Sequence, residues 1–476
     1  MRTLVYVHGH PSLQAGGSEV AAHALFSDLK ARGHEPVFLG VADSAFVGGR
    51  PALVPFSDDG SEYIMPSLVS DHFLFLGGHR AHVLDQIVDL VNARAIEVIH
   101  FHHFIGIGTD GLIYLRHRLP QVGFVFTAHE YLSLCARDGQ MLMSDLGGRC
   151  TRPQFDKCAA CVSSAPPAYF ALREALFRQV FSGFDAVISP SRFLAGRLTD
   201  SGLCACPVQV IENKNAHTPR FEDAVGDPSE SVNRFAFFGQ INPFKGADLL
   251  LEAAALFQSH ADWPPAEFHL FGSLAGDTMA YPYFLSHQLA AAENLTFHGR
   301  YDGRKVIELM REMDWIVVPS IWWENSPVVI EEALIAGRPV ICSNIGGMAE
   351  KVEDGVFGVH FEVGNAADLA AAFRRCCGNA ELWRKLVAGR RRPAGPDEVA
   401  ARLGPPGTRA GVAAIGPRGD DLSIGRRDDP EPDGPDAARL EHHVRDESKA
   451  DDEPGGGAGE RHRPQDDEEP PPVADL

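Results

Sequence analysis

Residues Pro319–Gly347, PSIWWENSPVVIEEALIAGRPVICSNIGG, decide the fold. The segment follows an apolar run, DWIVVPS, of the length and composition of a buried strand. IWWENS then reads as a loop. PVVIEEALIAG reads as a helix, with Pro327 near its first turn and Gly337 just past its last, the positions these residues prefer at helix ends. PVICSN is a further strand. The helix N-terminus suits an anion, because its first N–H groups are free and its dipole is positive there. Ser326 is placed to be the N-cap. Glu324 sits in the loop above that N-terminus, and Glu332 lies about a turn and a half inside the helix, so both can face one cleft. Read singly, Glu324 is as well explained as a solvated loop residue and Glu332 as an ordinary helix acid.

The same alternation extends in both directions. TLVYVHG, EPVFLGV, VIHFHH, GFVFTAHE, DAVISPS and VQVIEN precede the stretch, followed by RFAFFGQ, EFHLFGS and LTFHGR, with helical patterns between them. Such runs read as buried parallel strands of a doubly wound α/β fold. Two sets predict two Rossmann-like halves facing a cleft: an N-terminal domain over 1–215, with a Cys-rich insertion at about 134–164, and a C-terminal domain over 216–390. The polar stretch Asn215–Asn233 is the natural linker. Residues 391–476 differ. They hold 13 Pro and 12 Gly, with 12 Lys or Arg against 21 Asp or Glu, and no aromatic residue follows Trp383. That acidic segment cannot bury enough apolar area to offset ordering entropy and is expected to be disordered. A solvated interaction arm and an out-of-frame terminus both fit it.

The 476 residues are 45% hydrophobic and carry a formal charge of −21, which argues against general nucleic-acid binding. The N-terminal apolar run is too short for a signal peptide, and no window reaches the ~18 apolar residues of a membrane span. With nine irregularly spaced cysteines, a reducing, cytoplasmic location is expected, and thiols or metal ligands come before disulfides.

Three further stretches carry chemistry. In FAFFGQINPFKGADLLLEAAALF, a strand leads to Gly239, a loop, then Lys245-Gly246 and an amphipathic helix. A lysine at that junction is well placed to meet a diphosphate, although this is not a phosphate-binding loop of the GxxxxGK[ST] kind, since Ala247 stands where Ser or Thr would be. In HGHPSLQAGGSEV, Gly16 and Gly17 precede a helix and let a ligand approach the backbone. The pattern is not GxGxxG, so a nicotinamide dinucleotide is unsupported. In FTAHEYLSLC, His129 closes a strand at its carboxyl end, where open α/β sheets bind ligands. Read alone, the first fits a surface lysine and the second a flexible turn equally well, and a lone histidine is more often structural.

Taken in order, Gly16-Gly17, His129, the SPS at Ser189–Ser191, Gly239 with Lys245-Gly246, FHGR at Phe297–Arg300, Glu324-x7-Glu332 and Gly346-Gly347 resemble the retaining glycosyltransferases of family 4, in the GT-B superfamily, over about residues 1–385. The resemblance implies a hexosyltransferase-type enzyme whose nucleotide-sugar donor sits mainly on the C-terminal domain. It implies that Lys245 contacts the diphosphate, Glu332 the ribose hydroxyls and Glu324 a sugar hydroxyl. The backbone around Ser326, Pro327 and Val328, with Gly239 and residue 240, would line the donor, and His129 with Gly16-Gly17 would complete the site. No metal is implied for the chemistry; lysine, arginine and helix dipole would meet the leaving-group charge.

Three departures stand out. Gln240 occupies the position where the family usually has Arg, so the second cation would have to be Arg300 or Arg304. IENKNAH keeps only Asn213 of the usual Pro-Asn-Gly. The C-terminal helix that crosses back to the first domain is not recognisable after ELWRKLVAGRRRP.

Cys135, Cys150, Cys158 and Cys161 fall within 27 residues of the insertion. Four thiolates at such spacing could hold a tetrahedral structural zinc, with reduced thiols and disulfides as alternatives. Cys376-Cys377 read as packing residues, and His100, His102 and His103 as strand-edge or cleft residues. The expected function is transfer of a sugar from a nucleotide-diphosphate sugar to a saccharide or lipid-linked hydroxyl in polysaccharide or glycoconjugate biosynthesis, compatible with peripheral attachment at the inner membrane face. An epimerase or phosphorylase on a related scaffold, and a catalytically silent binding protein lacking the closing helix, are the other readings.

Overall fold

The apolar runs of the sequence become two separate sheets in the computed structural model, which describes residues 1–13, 16–48, 52–78, 81–144, 148–163, 165–213, 226–273 and 294–391. The first sheet holds β1 (Arg2–Val7), β2 (Glu35–Ala42), β3 (Val54–Pro55), β4 (Glu62–Pro66), β5 (Val98–Phe101), β6 (Gly123–Thr127), β7 (Ala186–Ser189) and β8 (Val208–Val210), in the order β3-β4-β2-β1-β5-β6-β7-β8. Its pairings are parallel except β3 with β4. The second sheet holds β9 (Arg234–Phe238), β10 (Glu267–Phe271), β11 (Leu295–Gly299), β12 (Trp315–Val318), β13 (Val340–Ser343) and β14 (Gly358–Phe361), in the order β11-β10-β9-β12-β13-β14, all parallel. Both sheets lie in one compact unit. Most of the Asn215–Asn233 stretch and nearly all of the acidic segment after Arg390 lie outside the described residues.

Strand alternation explains the layers. In β1, Leu4 and Tyr6 face one core with Phe101 and Phe124, while Val5 and Val7 face the other with Leu25, Phe26 and Leu29 of the helix Gly17–Ala31. In β9, Phe235 and Phe237 pack on the helices Ala247–Gln258 and Ala366–Cys376, and Ala236 and Phe238 pack toward the helix Val328–Ala336. Fully burying each such Leu or Phe contributes about 1.5–3 kcal/mol before ordering costs. β3, β4 and β14, not expected from the sequence, lie at or beside sheet edges.

The strand order reverses between β1 and β5 in one sheet and between β9 and β12 in the other. Ligands of open α/β sheets bind beyond the carboxyl ends of strands at such switch points. The last described residues, the helix Ala380–Ala388 and Arg391, pack Trp383, Leu386 and Val387 into the second core and set Arg391 3.4 Å from Glu212 of the first half. Any helix beyond them that crosses back falls outside the described residues.

Candidate active site

At the switch point of the second sheet, the loop after β9 meets the loop after β12. Asn242 accepts hydrogen bonds from the N–H groups of Phe244 (3.1 Å) and Lys245 (3.0 Å), which fixes a single turn of 3-10 helix, Pro243–Lys245. Gly246 follows at φ +70°, a left-handed conformation that glycine adopts without steric cost. A Cβ there would lie 2.1 Å from the Pro319 carbonyl oxygen, so the turn sits directly against the end of β12. The result aims Lys245 at Glu324, Nζ to Oε1 2.6 Å. The same Glu324 oxygen accepts from Ser320 Oγ (2.8 Å) and Trp322 Nε1 (2.9 Å).

Beyond Glu324 the chain turns into the helix Val328–Ala336. The sequence placed Ser326 at its N-cap, but Pro327 occupies that position with extended backbone and no side-chain cap, so the helix starts one residue later. Ser326 Oγ is buried with no hydrogen-bond partner among the described residues. Gly337, at φ +71°, ends the helix. The Gly346-Gly347 pair braces this loop from behind: Gly347 N–H donates to the Glu324 carbonyl at 2.7 Å, and a Cβ on Gly347 would strike the Asn325 carbonyl oxygen at 1.6 Å.

The two adjacent helix acids have separate fates. Glu331 is buried and ion-paired with Lys351. Glu332 has no hydrogen-bond partner among the described residues, and burial, then the charge of Glu331, pushes its carboxyl up to about 7. Gln240 is exposed after Gly239 and, being uncharged, supplies no charge itself in place of the missing arginine. Arg300 is exposed at the end of β11, two strands from β9, roughly 10 Å across the sheet by strand spacing. Arg304 is held by Asp302 at 2.7 Å.

The first half brings a histidine cluster to the opposite side. His129 follows β6. Its Nδ1 faces the Asn213 amide at 3.4 Å and its Nε2 faces His102 Nδ1 at 2.9 Å. The amide is a donor, so the proton sits on Nε2 and points to His102. Burial, with the neighbouring histidines, holds His129 down at about 3, and it is neutral at physiological pH. His8 is likewise held down at about 3 by burial and by His103 and His129, and its Nε2 lies 3.1 Å from the buried Glu19. Sequence reasoning missed His8 and Glu19 as site residues; the signal was a histidine two residues before His10 at a strand end and an acid just after Gly16-Gly17. Gly16 is the N-cap of the helix Gly17–Ala31, and Gly17 faces Val328 with 4.0 Å between its Cβ position and Val328 Cγ2. Two helix N-termini, one from each half, therefore approach each other across the cleft.

The halves are also joined by direct bonds. Asn325 Nδ2 donates to the His129 carbonyl (3.1 Å), and Ser191 Oγ, which also caps its own helix, donates to Asn325 Oδ1. Glu350 accepts from the N–H groups of Arg192 and Phe193, both at 2.9 Å, and Trp323 Nε1 donates to the Cys150 carbonyl at 2.9 Å. Of the FHGR segment, Phe297 is exposed on β11.

Two groups are candidates for a metal. His10, His23 and Glu62 bring their ligand atoms within 4.8 Å of one another. His10 Nδ1 accepts the Ser12 backbone N–H at 3.2 Å, however, so its proton is on Nε2, which donates to Glu62 at 2.9 Å. A metal-bound histidine instead donates from its other ring nitrogen. That trio is a hydrogen-bonded cluster, not a ligand set. The other group is Cys135, Cys150, Cys158 and Cys161, all free thiols, which line one cavity.

Two Rossmann-like sheets whose carboxyl edges meet at a cleft define the GT-B class of glycosyltransferases. Solved structures agree on the fold: Anabaena HepE in complex with UDP superposes with a TM-score of 0.57 at 18% identity, covering 82% of this chain and 93% of that one. Sucrose-phosphate synthase of Thermosynechococcus elongatus gives 0.56 at 17%, covering 84% and 94%. Family models for Glycosyltransferase Family 4 and for Glycosyl transferases group 1 match residues 15–213 and 220–391. The chain belongs to glycosyltransferase family 4. Among curated relatives, the D-inositol 3-phosphate glycosyltransferase of Geodermatophilus obscurus is 40% identical over 167 residues, covering 33% of this chain and 36% of that one. That of Mycobacterium sp. strain KMS is 32% identical over 147 residues, covering 30% and 31%. The chain thus spans about a third of the length of the curated relatives it matches.

Proposed function

We propose that the protein moves a sugar from a nucleotide-diphosphate sugar to an acceptor hydroxyl, with retention at the anomeric carbon, in polysaccharide or glycoconjugate biosynthesis. The observation that carries this reading is the convergence of Lys245, Glu324 and the free N-terminus of the helix Val328–Ala336 at the β9/β12 switch point. The cradle suits a diphosphate that gains negative charge as the glycosidic bond breaks. Lys245 exchanges its 2.6 Å contact with Glu324 for the phosphate, and the Val328 end of the helix adds partial positive charge. Glu324, released from the lysine, accepts from a sugar hydroxyl while Ser320 and Trp322 hold it in place. Ser326 Oγ, lacking a partner among the described residues, has hydrogen-bonding capacity for the phosphate or sugar. Glu332 is the acceptor for the ribose hydroxyls. His129, neutral and bonded to His102 and Asn213, positions groups and does not shuttle protons near neutral pH.

The nucleotide-diphosphate donor is consistent with HepE having been solved with UDP-glucose and with the relatives being named as glycosyltransferases. No helix among the described residues is long and apolar enough to cross a membrane, which is compatible with a lipid-linked acceptor met at a membrane surface. The test is a panel of nucleotide sugars screened by thermal shift. A ligand that binds only the native state at 100 times its Kd adds about 2.7 kcal/mol. The stabilising donor is then incubated with saccharide acceptors and the anomeric proton of the product followed by NMR. Product in the donor's own anomeric configuration supports the reading. An inverted product, or donor epimerised without acceptor, removes it.

A further inference from the structure

We infer that Cys135, Cys150, Cys158 and Cys161 form a tetrathiolate zinc site that braces the Trp323 side of the loop carrying Glu324. The four residues come from three local elements. Cys135 ends the turn after His129, where its backbone N–H donates to Tyr131 O at 2.8 Å. Cys150 follows an antiparallel bridge between Leu142 and Arg149, and its N–H donates to Met141 O at 2.7 Å. Cys158 and Cys161 lie three apart on the helix Phe155–Cys161, hence on one face. All four line a cavity of about 130 Å³.

Two features favour an anionic zinc tetrathiolate there. The first is the helix Phe155–Cys161 itself. It has seven residues, none of them buried, and no side-chain N-cap. Helices of that length are marginal without tertiary support, and this one packs on the helix Pro167–Ser182 through half-buried side chains only. Coordination of two of its side chains would add a firm anchor. The second is Arg173, 3% exposed. Its guanidinium donates to the carbonyls of Phe73, Leu132 and Ser133, and among the described residues no carboxylate pairs with it. A buried cation is costly unless negative charge lies close by. Cys135, the Glu130 carboxylate and Cys158 are near enough for negative charge on them to favour the Arg173 cation, and binding of a metal would turn the two thiols into thiolates. A zinc tetrathiolate carries a net charge of −2, which Arg149 and Lys157 on the cavity wall would offset.

Binding releases the proton of each thiol to solvent, four in all, and leaves zinc bonded to four sulfurs. Among the described residues no three of these sulfurs lie within 4.8 Å of one another, so binding draws the ring inward to the spacing of a tetrahedral site. The consequence reaches the cleft. The Cys150 carbonyl accepts from Trp323 Nε1 at 2.9 Å, and Arg149 stacks 5.7 Å from the Trp323 ring centroid. Glu324 is the next residue. The proposal does not depend on which reaction the cleft performs.

The test uses the full chain, expressed without a metal-affinity tag and dialysed against a weak chelator. Elemental analysis is expected to find about one zinc per chain in the wild type and in Cys204→Ser, and less than about a tenth in the Cys158→Ser/Cys161→Ser double variant. Should that variant fail to fold, cobalt exchange of the wild type provides the second reading: sulfur-to-cobalt charge-transfer and tetrahedral visible bands are expected. Less than about a tenth of a zinc per wild-type chain without cobalt bands overturns the site. So does zinc retained by the folded double variant, or an unreduced mass showing the thiols paired as disulfides. Stripping the zinc is expected to speed hydrogen exchange in the peptide containing Trp323; unchanged exchange there overturns the bracing role.

Discussion

Replacing Lys245 by alanine tests the cradle where structure separates chemistry from stability. Lys245 is 30% exposed and Glu324 8%. Removing the lysine leaves the Glu324 carboxylate with two donors on the same oxygen, Ser320 Oγ at 2.8 Å and Trp322 Nε1 at 2.9 Å. The remaining charge is therefore still hydrogen-bonded, and the expected loss of stability is about 1 kcal/mol, the upper end for a partly exposed pair. The kinetic loss is larger. A positioned group that meets charge developing on a leaving diphosphate is worth about 3–4 kcal/mol in the transition state, which is 10²–10³ in turnover. The assay is release of the nucleoside diphosphate under saturating donor, beside chemical denaturation of the same preparation. The predicted pattern is a turnover loss of about two to three orders of magnitude with a denaturation midpoint close to wild type. Turnover within a few-fold of wild type refutes the assignment of Lys245. A collapse in stability that accounts for the lost activity refutes the separation argued here.

Gly246→Ala, at φ +70° with its new methyl 2.1 Å from the Pro319 carbonyl oxygen, is expected to lose about 2–3 kcal/mol by urea denaturation; a loss below about 0.5 kcal/mol contradicts the close packing of that turn. Burial raises Glu332 from 4.5 to about 7, so the folded state holds its proton more tightly than the unfolded one, and the cost of charging it grows as pH rises and is complete above about 7. Glu332→Gln is thus expected to be near neutral in stability below about pH 4.5 and stabilising by about 2–3 kcal/mol near pH 8, while parallel pH curves for the two proteins contradict this. Lys351→Met leaves the buried Glu331 carboxylate without its ion pair and is expected to cost about 3–5 kcal/mol, most of it recovered in Glu331→Met/Lys351→Met; a single variant as stable as wild type removes that pair from the account.

The interior strands were legible because strands buried on both faces read as unbroken apolar runs. β3, β4 and β14 were not. They lie at or beside sheet edges, and VP, EYIMP and GVHF are short or mix polar and glycine residues among the apolar ones. The order of the site motifs was legible for a related reason: each sits at a strand's carboxyl end or a helix's start, and local sequence marks both. What needed coordinates was contact between distant residues. Nothing near Trp323 in sequence indicates that its indole reaches Cys150, 173 residues earlier. Nothing in the pair Glu331-Glu332 shows which acid Lys351 neutralises. Ser326 reads as an N-cap by residue type, yet Pro327 takes the position; its fixed φ fits that extended capping conformation.

The most direct measurement is a crystal structure of the protein with UDP. The predicted result places the diphosphate within hydrogen-bond reach of Lys245 Nζ and the N–H groups at the start of the helix Val328–Ala336, with the present 2.6 Å lysine–Glu324 contact broken. Nucleotide bound elsewhere, or in the cleft with Lys245 still closed on Glu324, contradicts it.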